Sequence, residues 1–280
     1  VFGRFDFNLD RAFLTYRPSW AEGFWLRAGK FSHPFKKPAI YNELVWDGDV
    51  QPDGIAAGYT LKNLGPLSPF IDSVNLVAGE YMVLEQKNVN DLDAQVYQVA
   101  ANKKLGDHWA TTAATGFYNF RDTEKDGATK VFGHNAGNAV NDGAFDSAFR
   151  IIDTFVNLKY SGWKVPLAFS GQYFTNPGAE TRRDDGFALG LSVGKAKKRG
   201  NWQVYYQYQV VGQDAVFSPI SQDDWMANTN LRGHVGGLKY RLFDKVTLHL
   251  WGLLHQREDS TSSQSEQTQN RFRADVNVSF

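Results

Sequence analysis

The chain has 280 residues, with 30 Lys and Arg against 30 Asp and Glu and no cysteine. The balanced charge excludes a global field that would attract nucleic acid, and the absence of cysteine excludes disulfide scaffolds, thiolate metal sites and cysteine nucleophiles. No run approaches the roughly 18 consecutive apolar residues of a membrane-spanning helix. A membrane β-barrel is not excluded, because only every second residue of its strands must be apolar.

Alternation of apolar and polar residues divides the chain into about 13 segments, most of them near the 9–11 residues that a tilted strand needs to cross a bilayer. No helical period of comparable length is present, so the predicted class is all-β. In chain order the predicted strands are 9–17, 24–31, 55–61, 72–83, 94–103, 108–120, 150–160, 165–174, 186–195, 202–210, 231–242, 246–254 and 271–280.

The two faces of these strands differ in character. In WQVYYQYQV (202–210), Trp202, Val204 and Tyr206 alternate with glutamines. In a membrane barrel the apolar register faces lipid and the polar register lines a lumen, whereas in a soluble sandwich the apolar register faces a protein core. On the barrel interpretation the predicted lumen-lining residues are Gln203, Gln207, Asn157, Ser192 and Thr247.

The connections alternate in length along the chain. The short ones are 18–23, 62–71, 104–107, 161–164, 196–201 and 243–245, and the long ones are 32–53, 84–93, 121–148, 175–185, 212–230 and 259–270. Outer-membrane barrels are built in this way, with short turns in the periplasm and long loops outside. The pattern therefore predicts a transmembrane antiparallel β-barrel rather than a sandwich. Aromatic residues, at 15% of the chain, agree with girdles at two membrane interfaces.

The last predicted strand, RFRADVNVSF (271–280), ends on Phe280 in the apolar register. Because the connection before it is long and therefore external, this strand runs inward and ends at the periplasmic side. A terminal aromatic in this place looks like the C-terminal assembly signal of bacterial outer-membrane barrels. Phe280 thus predicts recognition by the barrel-assembly machinery, and the alternative is an ordinary edge strand that ends in Phe.

Three short runs carry a resemblance to a known family. They are LDRAF (9–13), GKF with the following PF (29–35), and LVWD (44–47) with DG (53–54). These runs resemble the bacterial outer-membrane putative porin family, whose members carry a few strands before the LDRAF strand. Single-chain bacterial barrels have an even number of strands, and about 13 is odd. The resemblance therefore implies that 1–280 is one barrel domain lacking its first strands, with about 16 strands in the full protein; the alternative is that Val1–Phe7 forms a strand and the barrel closes at 14.

The resemblance also implies that 32–53 is the third external loop, which in porins commonly folds into the lumen and narrows it. Its carboxylates would then oppose basic residues on the barrel wall and create a transverse field that filters polar solutes. The predicted constriction consists of Glu43, Asp47, Asp49 and Asp53 opposite Arg11, Arg27, Arg271 and Arg273. The alternative is that these carboxylates solvate an exposed loop.

The function predicted from these features is passive diffusion of small hydrophilic solutes or ions through the bacterial outer membrane. No catalytic motif, cofactor motif or metal-ligand spacing is recognisable, so the chain is predicted not to be an enzyme. Expected partners are outer-membrane lipid and lipopolysaccharide, the assembly machinery and the solutes, without nucleic acid, and a homotrimer is one assembly to test. The alternatives are a barrel that acts as an adhesin, an enzyme or a sheath for a partner protein, and a soluble carbohydrate-binding sandwich.

Overall fold

The structure is a computed structural model that describes residues 9–84, 92–124, 137–141, 143–225, 227–258 and 268–279. Within these ranges the chain is all-β apart from one turn of 3₁₀ helix at Gly65–Leu67. In the same ranges, no helix is both long and apolar enough to cross a membrane. Phe280, the predicted assembly signal, lies outside the described residues.

The strands follow one another along the chain. The first eight are β1 (Ala12–Tyr16), β2 (Phe24–Lys30), β3 (Asp53–Lys62), β4 (Ser73–Leu84), β5 (Leu92–Leu105), β6 (Trp109–Phe120), β7 (Val140–Asn141) and β8 (Ala144–Phe145). The others are β9 (Phe149–Tyr160), β10 (Leu167–Thr175), β11 (Asp185–Gly194), β12 (Trp202–Val211), β13 (Leu231–Phe243), β14 (Val246–Arg257) and β15 (Gln269–Val278).

All strands except β7 and β8 form one antiparallel sheet of 13 strands, in which each strand pairs with its neighbours in the chain. The predicted all-β class and the predicted strand count are confirmed. The strands β1 and β15 are the two edges of this sheet, and β7 and β8 pair with each other in a separate hairpin. Sequential antiparallel pairing places successive connections at opposite ends of the sheet.

The predicted alternation of connection lengths fails at one place. The connection 63–72, at the end that carries the short turns, is longer than the connection 85–91 at the opposite end. Strand β4 extends to Leu84 and β5 begins at Leu92, so pairing takes up residues that the alternation had left to a loop. Elsewhere the long connections 31–52, 121–148 and 212–230 lie at one end and the tight turns 106–108 and 244–245 at the other.

The two faces of the sheet separate the apolar and polar registers. On the face called here the outer face, large apolar side chains are exposed to the surroundings along most strands; examples are Val99, Val156, Leu189, Val204, Leu250 and Val276. The opposite face, called here the inner face, carries Gln98, Asn157, Ser170 and Gln207, which are buried. The apolar register therefore does not lie in the core of a sandwich of two sheets within the described residues.

The inner face is concave. The backbone N–H of Lys36 donates to Gln98 on β5, and that of Tyr41 donates to Gln207 on β12. In a flat sheet these two strands, five spacings apart, would be separated by about 24 Å. A stretch of five residues spans at most about 18 Å, and strand side chains stand roughly perpendicular to the sheet. The sheet must therefore curve around the segment 31–52.

Candidate functional site

The connection between β2 and β3 lies across the inner face and is fixed there by side chains of several strands. The amide of Asn157 accepts from the backbone N–H of Ala39 at 2.9 Å and donates to the carbonyl oxygen of Lys37 at 3.1 Å. The amide of Gln98 makes the same pair of bonds with the backbone of Lys36, at 2.7 and 2.9 Å. An aromatic cluster packs the rest of this connection against β4 and β6: Phe31, His33, Phe35, Trp46, Tyr81 and Tyr118.

The connection between β12 and β13 (212–230) packs against the first one. The backbone N–H of Asp47 donates to the carbonyl oxygen of Ile220, and that of Gln222 donates to the carbonyl oxygen of Glu43, both at 2.9 Å. The buried carboxylate of Asp214 accepts from the Ser147 hydroxyl at 2.6 Å and from the Ala139 backbone at 2.9 Å. Three long connections are thus tied into one body that fills part of the concavity.

A cavity of about 650 Å³ remains between strands β11 to β15 and the two connections 31–52 and 212–230. Its acidic lining comes from the connections and its basic lining from the strands. The carboxylates are Glu43, Asp47, Asp49, Asp223 and Asp224, and the basic groups are Lys239, Arg271 and Arg273. Charges of opposite sign therefore face each other across the space.

One carboxylate links both connections to the sheet edge. The hydroxyl of Tyr41 donates to Oδ2 of Asp224 at 2.9 Å, and Arg273 forms an ion pair with the same carboxylate. Arg271 donates to the backbone oxygen of Asp224, while Arg273 also stacks over Trp251 at 4.8 Å. We describe Tyr41, Asp224 and Arg273 together as the latch, because they join the first connection, the second connection and β15.

Ionisation of the first connection is shifted by its surroundings. Burial, followed by the charges of Asp47 and Asp224, raises the pKa of Glu43 to about 7, while Lys37 acts in the opposite direction. Burial likewise raises the pKa of Asp47 above its ordinary range. Burial lowers the pKa of Lys37, which the carboxylates of Glu43 and Asp47 partly offset. Glu43 therefore changes charge near neutral pH.

This titration predicts a pH dependence of ion selectivity if the cavity conducts. Glu43 is protonated below pH 7 and ionised above it, so the preference for cations is expected to rise between pH 6 and pH 8. Reversal potentials across a salt gradient measure this preference. The groups around Glu43 are Lys37, Asp47, Asp49 and Asp224 on the connections, with Lys239 and His249 on the strands. Glu43→Gln should remove most of the rise, and a rise that persists in this variant would assign it to another group.

Most predicted constriction residues meet at this cavity. Glu43, Asp47 and Asp49 line it from the connection, and Arg271 and Arg273 line it from β15. The structure does not bring the other three there. Asp53 is the first residue of β3 and pairs with Lys30 and Met82, which places its side chain on the outer face.

The other two arginines lie at the far edge of the sheet. Arg11 donates to the Ser32 hydroxyl at 3.0 Å and is exposed. Arg27 on β2 donates to the Thr15 hydroxyl at 3.2 Å and stacks over Phe13 at 4.8 Å. Arg27 has the inner-face register that was predicted, since it pairs with the buried Ala56, whereas Arg11 precedes β1. Because β1 and β2 are at the opposite edge from β15, neither arginine lines the cavity.

The predicted lumen-lining residues all belong to the inner face, with different roles. Gln203 and Ser192 line the cavity with the opposed charges. Gln207 and Asn157 bind the backbone of the segment 31–52 instead. Thr247 lines a second cavity, of about 470 Å³, which lies nearer the short turns and shares Gln203, Lys239 and His249 with the first.

Sequence reasoning missed part of the site. The unpredicted residues of the lining include Asp223, Asp224, Lys239, Tyr205 and Trp251. Three of these have the polar register of their strands, so the period-two pattern carried a signal for them. Asp223 and Asp224 belong to a long connection with no periodicity, and only the folding of that connection onto the inner face brings them to the cavity.

Comparison with known proteins adds the family. A family model described as putative porin matches the chain in two segments, residues 1–151 and 136–278. No curated protein matches the chain. The two segments together span nearly the whole sequence, well beyond the N-terminal runs that first suggested the resemblance. The chain, a 13-stranded antiparallel sheet with charged connections across its inner face, therefore belongs to the putative porin family.

Proposed function

We propose that the chain forms most of the wall of an outer-membrane porin and that small hydrophilic solutes or ions diffuse through its lumen. The cavity between the connections and β11 to β15 carries this proposal, because a polar, charged passage on the concave face of a sheet is what a diffusion pore requires. Membership of a porin family supports the same function and favours a channel over an enzyme.

The outer face supports insertion into a membrane. At the end with the short turns, Trp109, Trp202 and Phe243 on the strands are exposed, and Trp20, Phe70 and Trp163 are exposed in the adjoining connections. A second set with Tyr97, Phe117 and Tyr173 lies toward the other end. Trp109 and Phe117 are eight residues apart, about 26 Å along the strand. At the tilt of about 40° that is typical of outer-membrane barrels, this length corresponds to about 20 Å along the membrane normal, slightly less than the apolar band of about 25 Å.

Beyond the second aromatic set, the outer face becomes charged. Arg121 binds Glu80 at 2.5 Å and Asp93 at 2.6 Å, and Asn119 donates to Gln95 at 3.4 Å. Such groups are costly in hydrocarbon and suit the headgroup region above it. This succession of aromatic, apolar, aromatic and charged zones supports an orientation with the long connections outside the cell.

Closure of the barrel is part of the proposal. The edge strands β1 and β15 require pairing partners. A full protein with 16 strands in one barrel domain would supply them, and a barrel that closes with 14 strands is the alternative. The predicted segment 32–53, without Asp53, then narrows the lumen. We propose lipopolysaccharide and the outer-membrane lipids as surroundings, the barrel-assembly machinery as the folding partner, and a homotrimer as the assembly to test.

The direct test is the conductance of the purified full-length protein in planar bilayers, where stable single-channel steps are expected. Absence of any conductance from correctly folded protein in detergent-free bilayers would overturn the proposed function. A sandwich or a sheath protein would give no steps.

Thiol labelling tests which face of the sheet is accessible to water. The chain has no native cysteine, so single variants react cleanly. In liposomes Gln203→Cys and Thr247→Cys are expected to react with a small, membrane-impermeant reagent, since both residues line cavities. Leu189→Cys and Val204→Cys, on the outer face, are the matched controls and should be protected by lipid. The opposite pattern of reactivity would contradict the proposed orientation of the two faces.

A further inference from the structure

The two cavities on the inner face differ in charge. The first has five carboxylates against three basic groups, and one of its arginines is already paired with Asp224. The lining of the second contains Lys195, Lys197, Lys239 and Arg241, and its described lining residues include no carboxylate. The sign of the fixed charge therefore reverses from one cavity to the next.

The two cavities follow one another along the strands. Arg271, in the first cavity, is near the start of β15, and Asn277, in the second, is near its end. These residues are six apart, about 20 Å along the strand. Gln203, Lys239 and His249 line both cavities, so the two spaces adjoin at these residues. Lys195 and Lys197 belong to the short connection 195–201, so the basic cavity opens at the end of the short turns.

We propose that this passage is an axial charge junction, with a carboxylate-lined segment on the external side in series with a lysine-lined segment on the periplasmic side. The junction makes the pore rectify current and favours small zwitterions over neutral solutes of the same size. This inference rests on the proposed function, because it requires that the passage conducts.

The direction of rectification follows from electrostatics. The acidic segment is enriched in cations and the basic segment in anions. When the applied voltage makes the external side positive, cations move inward through the acidic segment and anions move outward through the basic segment. Both kinds of ion then accumulate at the junction and the conductance rises. The opposite voltage depletes the junction and lowers the conductance.

The same arrangement orients a solute that carries both charges. An ammonium group is stabilised in the segment of Glu43, Asp49 and Asp223, while a carboxylate is stabilised beside Lys195 and Lys197. A simple ion of either sign is favoured in one segment and disfavoured in the other. A small zwitterion carries both charges a few ångströms apart, so it is stabilised as a dipole that aligns with the axial field at the junction between the two segments.

Single-channel currents at 0.1 M and 1 M KCl test the junction. The Debye length falls from about 10 Å to about 3 Å between these salts, so a current ratio of about twofold or more at opposite voltages in low salt should approach one in high salt. Lys195→Gln with Lys197→Gln should abolish most of the rectification. Both lysines are exposed in a turn, so the variant should fold. Lys164→Gln with Lys245→Gln is the matched control, because these exposed turn lysines line neither cavity.

To interpret the direction of rectification, the experiment must establish which end of the protein faces each chamber. All variants can carry Lys198→Cys, an exposed position at the short turns, and a charged impermeant thiol reagent added to one chamber then reports the orientation. Larger current with the external side positive supports the junction. A conducting channel without rectification, or with the opposite sign, overturns it and leaves the proposed function intact; no conductance at all overturns the proposed function itself.

Flux into liposomes tests the solute class. Glycine and the neutral glycolamide are of similar size, so their permeability ratio reports the effect of charge separation. At low salt the ratio is expected to be about twofold higher in the wild type than in the Lys195→Gln/Lys197→Gln variant, with the Lys164→Gln/Lys245→Gln control unchanged. Equal ratios in all three proteins would overturn the preference for zwitterions.

Discussion

Replacing Asp47 and Asp49 with Asn is expected to lower the cation preference of the pore about threefold or more, because carboxylates in a partly desolvated constriction act on a passing ion with little screening. Both residues line the cavity opposite Lys239, Arg271 and Arg273. Reversal potentials across a potassium chloride gradient give the permeability ratio directly. The change removes negative charge without shortening the side chains, so the size of the passage stays nearly constant.

The reciprocal change should raise the cation preference. Arg271→Gln with Arg273→Gln removes two positive charges, but it also breaks the latch to Asp224. Lys239→Gln is therefore the cleaner variant, since Lys239 lines the cavity and makes no hydrogen bond to the described residues of either connection. A suitable control is Asp53→Asn, whose carboxylate lies on the outer face. Reversal potentials that stay unchanged in both the acidic and the basic variants would mean that this cavity is not the constriction.

Releasing the segment 31–52 from the wall is expected to have the largest effect on conductance. Asn157→Ala with Gln207→Ala removes the side chains that bind the backbone of Lys37, Ala39 and Tyr41. Three hydrogen bonds at about 1 kcal/mol each correspond to a shift of about 100-fold in the equilibrium between the seated and the released segment. Single-channel records should then show a larger and noisier current than the wild type.

The matched control for this experiment is Gln203→Ala. Gln203 lines the cavity on the same strand as Gln207, and its amide bonds to the Ser192 hydroxyl rather than to the segment. It should therefore change the conductance only slightly and leave the noise unchanged. If Gln203→Ala and the Asn157→Ala/Gln207→Ala variant show the same current and noise, the polar inner face does not hold the segment 31–52 in place. Tyr41→Phe, which removes one bond of the latch, should lie between the two.

Several features of this protein were predictable from sequence because they are local. The period-two pattern assigned Gln203 and Gln207 to one face and Val204 to the other, since successive strand residues point to opposite faces whatever their partners. The count of 13 strands in sequential antiparallel order followed from the same pattern and from the turns. The N-terminal runs from Leu9 to Gly54 were enough to suggest the family that the full-length match established.

The tertiary structure alone decided which charges meet. Tyr41 and Asp224 are 183 residues apart in sequence, and neither of their connections has a periodicity that reveals its direction. Their placement depends on the curvature of the sheet, which brings Gln98 on β5 and Gln207 on β12 to one short segment. Asp53 does not belong to the predicted constriction, because it is the first residue of β3 rather than part of the loop. Local periodicity thus determined the two faces of the sheet, whereas contacts between distant segments determined which residues line the cavity.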